Sequence, residues 1–177
     1  MSWVTEELRD VNLGDVRRNR RLIQIVEDLA GSPESSVPLA SRDRAALQGM
    51  YDFWSNPRIA ASDILSAHVA SAAHRSECHQ LVLAIQDTTE LDYSHHPHKR
   101  GLGYLRGANT RGVLLHSVLA ISSCGTPMGI LHHQLWARQG RGTQRQRREL
   151  AEKESYRWIA SLNRTEALLS PSTHILT

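Results

Sequence analysis

The 177 residues are enough for one domain, or for a small domain plus part of a second, and 40% hydrophobic with 22% charged residues is ordinary for a folded chain. A net charge of +3 permits an anionic partner without requiring one, so clustering of charge matters more than its sum. The two cysteines, Cys78 and Cys124, have no CxxC spacing to suggest zinc or a disulfide framework, and no apolar run nears the roughly 18 residues of a membrane span.

The opening Met1-Ser2-Trp3-Val4-Thr5-Glu6-Glu7 has early acids and no signal-peptide core, so a reducing, cytoplasmic setting without a membrane is expected. After this lead-in comes an amphipathic helix with Asp15 as N-cap and Gly31 as its stop. Leu22, Ile23, Ile25, Val26 and Leu29 form its apolar stripe. Arg17, Arg18, Arg20 and Arg21 place four arginines within five residues at the helix start. Cations there oppose the helix dipole, which favours acids at that end. Either the arginines are kept for an anionic partner, or they form a solvated face offset by Glu27 and Asp28.

Gly31-Ser32-Pro33 opens a polar linker to about Leu39. A second helix is expected from Ser41, with Leu47, Met50, Tyr51 and Trp54 one turn apart, ending before Pro57. Ser62 is expected to cap a third helix over 63–77. Together these helices make a compact N-terminal module able to present helices to DNA, although no helix-turn-helix signature is present.

Leu81-Val82-Leu83-Ala84-Ile85 reads as a short strand buried on both faces. It gives way to Gln86-Asp87-Thr88-Thr89, which puts a carboxylate where the strand emerges. Asp87 then has two readings: a ligand for a hard cation such as Mg²⁺, or a turn cap bonding the backbone two residues on. Glu90 and Asp92, three and five positions further, fall on the opposite face if the strand stays extended. His95-His96-Pro97-His98-Lys99-Arg100 begins a Gly-rich basic stretch to Gly112, expected to be a flexible, exposed loop rather than a metal site. Residues 107–112 lack the Gly-Lys-Ser/Thr ending of a phosphate-binding P-loop.

Residues 113–122 and 128–136 read as a hairpin turning at Gly125-Thr126-Pro127. Its histidines, His116, His132 and His133, are either active-site groups or structural. From Arg138 to Arg148 there are five arginines and no acid, including Arg138, Arg141 and Arg145, which reads as a mobile basic segment for an anionic partner. A helix led by Glu149 carries Trp158, Ile159 and Leu162 and ends at Pro171. Residues 173–177 begin another strand.

Several blocks resemble the bacterial cut-and-paste transposases of the Tn-five type within the IS-four group. They are Leu13-Gly14-Asp15-Val16-Arg17-Arg18-Asn19-Arg20-Arg21-Leu22, Gln48-Gly49-Met50-Tyr51-Asp52-Phe53-Trp54-Ser55-Asn56-Pro57 and Ala84-Ile85-Gln86-Asp87-Thr88-Thr89. His116-Ser117-Val118-Leu119, Gly129-Ile130-Leu131-His132-His133-Gln134 and Glu152-Lys153-Glu154-Ser155-Tyr156-Arg157-Trp158 follow in family order. The resemblance implies an α/β (α+β) chain: a helical DNA-binding domain over 1–75, then the first half of a ribonuclease-H-like catalytic core over 78–177. It implies binding to double-stranded DNA at transposon ends, in association with the nucleoid. It also implies Asp87 as the first of three carboxylates (Asp, Asp, Glu) that hold Mg²⁺ or Mn²⁺ for strand cleavage and transfer. The matching second Asp and the Glu are not among these residues. The expectation is therefore a catalytically incomplete transposase segment that binds metal weakly or not at all. The alternatives are a non-catalytic DNA-binding module or regulator, and a nuclease completed by self-association.

Overall fold

The computed structural model describes residues 2–96, 98–107, 109–138, 155–169 and 173–176. The chain divides into two compact units, Met1–Ser71 and Ala72–Thr177, with the division inside one helix.

The first unit contains α1 (Trp3–Glu7), α2 (Val16–Ala30), α3 (Val37–Ala40), α4 (Arg44–Trp54) and the first part of α5 (Ala61–Glu77). The lead-in is structural, because Val4, Leu8, Val11 and Leu13 join Leu22, Ile25, Met50, Phe53 and Ala67 in one buried core. Asp15 caps α2 as expected, its carboxylate accepting the Arg17 backbone N–H at 2.8 Å. Gly31 follows the last helical residue with φ −67°, so the helix does not end through a left-handed glycine. Pro33 explains the halt, since it disfavours helical backbone at Ser32.

Three boundaries differ from expectation. The supposed linker contains the single turn α3, and Ser41 follows that turn, its hydroxyl donating to the Val37 carbonyl. The true cap of α4 is Asp43, which accepts the Ala46 N–H at 2.7 Å. α5 begins at Ala61, so Ser62 lies inside it. The apolar stripe of α4 is also rotated from the expected one. Ala46, Met50 and Phe53 point inward, while Tyr51 and Trp54 are 47% and 48% exposed. Both registers fit helical spacing, and only the neighbouring α2 decides between them.

The second unit is a sheet of β1 (Leu81–Asp92), β2 (Gly103–Tyr104), β3 (Arg111–Ser122), β4 (Pro127–Trp136) and β5 (His174–Leu176), with α6 (Tyr156–Leu168). β1 pairs antiparallel with β3 and parallel with β5, and β3 pairs antiparallel with β4 and briefly with β2. The hairpin and the final strand lie where the sequence puts them.

β1 departs from expectation. It is not buried on both faces: Val82 and Ala84 are buried, whereas Ile85 is 50% exposed. It also does not end at Gln86 but pairs with β3 as far as Asp92↔Gly112. A turn cap at Asp87 is thereby excluded, because Thr88 and Thr89 are ladder residues. Below the sheet, Val82, Ala120, Met128 and Leu131 pack with Ala72, Ala73 and Leu169. Register irregularities in β4 after Ile130 and after Pro127 fit with Leu131 and Met128 being the residues the ladder skips, both turned into the core.

The inward register of α4 gives a direct test. Met50→Ala should destabilise the protein by about 2–5 kcal/mol, as expected for truncating a fully buried side chain. Tyr51→Ala, one residue on and half exposed, should cost less. Urea denaturation of both variants checks the order, and a reversal would mean that Tyr51 is turned into the core.

Candidate functional site

On α2, residues three and four apart share a face, so Arg17, Arg20, Arg21 and Gln24 lie together and Arg18 points away from them. All four members of that face are exposed. Arg17 sits 3.4 Å from the Asp15 carboxylate, with its side chain 86% exposed. Asp15 is held below the usual carboxylate range chiefly by the Arg17 backbone N–H, with the Arg17 side chain adding to it. Arg21 lies across α4, where a Cβ added at Gly49 would come within 2.8 Å of its guanidinium. Arg18 differs, because its guanidinium donates to the Leu13 carbonyl at 2.8 Å. It is half-buried and ties the lead-in to the helix. The structure thus brings together three of the four arginines singled out in the sequence.

In the second unit, the β1–β3 register sorts side chains by parity. Asp87 is opposite Ser117, which is opposite His133 on β4, so these three positions form a row across the sheet. Asp87 is exposed, and Thr89 donates to its carboxylate at 3.4 Å. Glu90 falls on the other face and is taken up by Arg138 at 3.4 Å and Arg106 at 3.8 Å.

That other face is a polar layer under α6. His116 is fully buried, with Nδ1 2.8 Å from the Thr88 hydroxyl and Nε2 3.1 Å from the Gln86 side-chain amide oxygen, Oε1. A neutral imidazole satisfies both by donating from Nε2 to Gln86 and accepting at Nδ1 from Thr88. Trp158 of α6 covers the ring at a centroid distance of 4.9 Å. Burial pushes the His116 pKa down, Asp87 opposes that, and Arg157 adds to it. Next to it, Gln134 donates to Ser161 at 3.1 Å and accepts from Arg157 at 2.9 Å, and Arg157 lies over the Trp136 ring. His116 is therefore structural. His132 is half-buried on the same face and also shifted down, mainly by burial, while His133 belongs to the Asp87 face.

Arg138 is not part of a free basic segment. It pairs with Glu90, and its carbonyl accepts the Tyr104 N–H at 3.3 Å. Arg141 and Arg145 lie outside the described residues. Among the described residues, no three or more His, Cys, Asp or Glu side chains are grouped to hold a metal ion. Two-metal phosphoryl chemistry needs ions about 3.5–4 Å apart held by several oxygen ligands. The described residues do not fit such a centre, to which Asp87 would add a single carboxylate.

These helices are where a known family is matched. Residues 1–59 match the family model described as transposase DNA-binding. The match supports a transposase, with DNA as the partner of the N-terminal unit. It spans the α2 arginine face and the α4 residues beside it, but not the sheet. No helix among the described residues is long and apolar enough to cross a membrane.

Two features escaped the sequence reading. One is the polar layer around His116, whose only sequence signal was Gln86, Thr88 and His116 occurring at alternating strand positions. The other is the pairing of tyrosines with cations in the 93–111 loop. Lys99 lies 4.3 Å from the Tyr93 ring centroid, and the Arg111 guanidinium lies 4.6 Å from that of Tyr104.

The His116 environment sets a pH dependence. A histidine whose folded pKa is depressed takes up its proton more readily in the unfolded chain. Stability is then full above the ordinary value of about 6.5 and falls as pH drops through it. His132 acts in the same sense. The urea midpoint should decrease from about pH 7.5 to pH 5.5, and less so in His116→Gln. Equal slopes in the two proteins would show that His116 is not held neutral.

Proposed function

We propose that the chain is the N-terminal part of a cut-and-paste transposase of the Tn-five type. In this reading the helical unit binds transposon-end duplex DNA, and β1 contributes the first metal-binding carboxylate, Asp87, for strand cleavage and transfer. The observation that carries it is the coincidence of the DNA-binding family match with an exposed Arg17–Arg20–Arg21 face on α2. Support for the second half comes from the strand order β4-β3-β1-β5, with β3 antiparallel to both its neighbours and β5 parallel to β1. That order is the one expected of the start of a ribonuclease-H-like core. The runner-up is a DNA-binding module or regulator without catalysis, favoured because no three or more His, Cys, Asp or Glu side chains among the described residues are grouped to hold a metal ion.

Phosphate contacts release counterions, each lowering log K by about 0.9 per tenfold increase in salt. Replacing Arg17, Arg20 and Arg21 with Ala should reduce the salt slope of duplex binding by about 2–3. Arg18→Ala should mainly lower thermal stability, because its contact is to the Leu13 carbonyl. An unchanged slope in the triple variant would remove α2 from the interface.

Cleavage of labelled DNA by these 177 residues with Mn²⁺ is expected to be undetectable, since Asp87 alone cannot place two ions. Cleavage that disappears in Asp87→Ala would mean that other carboxylates complete the site, and the reading as an incomplete catalytic segment would fail.

A further inference from the structure

From Tyr93 to Arg111 the sequence holds four lysines and arginines and three histidines, with no acid. Such a run is usually a solvated loop, but this one is held in shape. The Tyr93 N–H donates to the Arg111 carbonyl at 2.8 Å, and the Arg111 N–H donates to the Ser94 hydroxyl at 2.9 Å. Asp92 in turn accepts the Ser94 N–H, closing the turn. On the other side of Arg111, β2 pairs Tyr104 with it. Arg111 is thus flanked by two tyrosines, Tyr93 and Tyr104.

Each ring carries a cation, Lys99 over Tyr93 and Arg111 over Tyr104, and Arg111 also donates to the Tyr104 hydroxyl at 3.3 Å. Neither cation has a carboxylate partner among the described residues. The nearby acid Glu90 is taken by Arg106 and Arg138. A cation resting on an aromatic face keeps its charge facing outward with less side-chain entropy left to lose on binding. A set of such groups in an acid-free segment suits a chain of phosphates better than a single anion. It begins at Tyr93, just past the end of the strand that carries Asp87 and six residues beyond it, about 20 Å along an extended chain.

We propose that the Tyr93–Arg111 end of the β1–β3 hairpin is a second DNA-contacting surface, gripping the phosphodiester backbone of a duplex through Lys99, Arg100 and Arg111. The inference rests on the reading of DNA as the partner but not on α2 being the face that binds it. It assigns the sheet unit its own hold on the duplex, independent of the helical unit's.

The test uses the full chain and a duplex oligonucleotide of unrelated sequence, with anisotropy measured across a KCl series. The Lys99→Ala/Arg100→Ala/Arg111→Ala variant should lose about 2–3 from the salt slope, while Arg111→Lys, which keeps the charge, should stay close to the parent. A parental slope in the triple variant with its melting curve intact would overturn the proposal. A second measurement needs no variant. Lys99 is one of only two lysines in the sequence, the other being Lys153, so its acetylation can be read by mass spectrometry. Bound duplex should slow modification of Lys99 several-fold, and equal modification with and without DNA would refute the contact. If neutralising the loop flattens the slope and neutralising Arg17, Arg20 and Arg21 does not, the α2 interface fails and this one stands. The converse result overturns this one alone. Tighter binding of single-stranded RNA than of duplex, lost in the same triple variant, would overturn DNA as the occupant.

Discussion

The antiparallel ladder between β1 and β3 is the constraint on which the sheet unit depends. It runs unbroken from Val82↔Ser122 to Asp92↔Gly112, and because side chains alternate, one register fixes the face of every residue along it. A slip of one position would put Asp87 and His116 on the same face, sending either Asp87 under α6 or His116 into solvent. Gly112 helps close the ladder at the far end. An added Cβ there would meet the Leu91 carbonyl at 1.9 Å, a clash that backbone cannot relieve by turning a side chain. The hairpin end and its tyrosine-borne cations begin where this close approach ends.

Parity also separates two kinds of chemistry on the same three strands. Beneath α6 the sheet carries a polar layer in which His116 bonds Gln86 and Thr88 while Gln134 bonds Ser161 and Arg157 of α6. Such a layer is costly unless its hydrogen bonds are made, so it specifies how α6 docks. The opposite face carries Asp87, Ser117 and His133 in one row, with half-exposed Ile85 and Leu135 around it. A group meant to meet phosphate or metal has to lie on that accessible side. His116 is kept neutral where a charged imidazole would disturb the packing.

The helical unit works by a different rule. Its core is spread over many short elements, from Val4 in α1 to Ala67 in α5, so no single helix carries it. What makes its surface useful is that the arginines of α2 divide by helical geometry. Arg18 turns back to hold the lead-in, and Arg17, Arg20 and Arg21 remain outward. The unfavourable placement of cations at a helix start is offset in part by Asp15, which caps the helix and lies beside Arg17.

The sequence by itself determined the order of the main helices and strands, the Asp15 cap and the hairpin about Gly125, and it raised Asp87 and Arg17–Arg21 as candidates. Those depend on signals local to a few residues: caps, turn residues, periodicity and charge runs. It could not determine which way an ambiguous stripe faces. For α4, Met50 with Phe53 and Met50 with Tyr51 and Trp54 fit one helix equally well until α2 packs against it. Nor could it determine that β1 extends past Asp87, since Thr88, Thr89 and Glu90 look like a turn until β3 offers them partners. The same holds for Arg138, whose partner Glu90 is 48 residues away. Tertiary structure decided these points because each is a pairing between distant segments, and the energy that settles a pairing is absent from either segment alone.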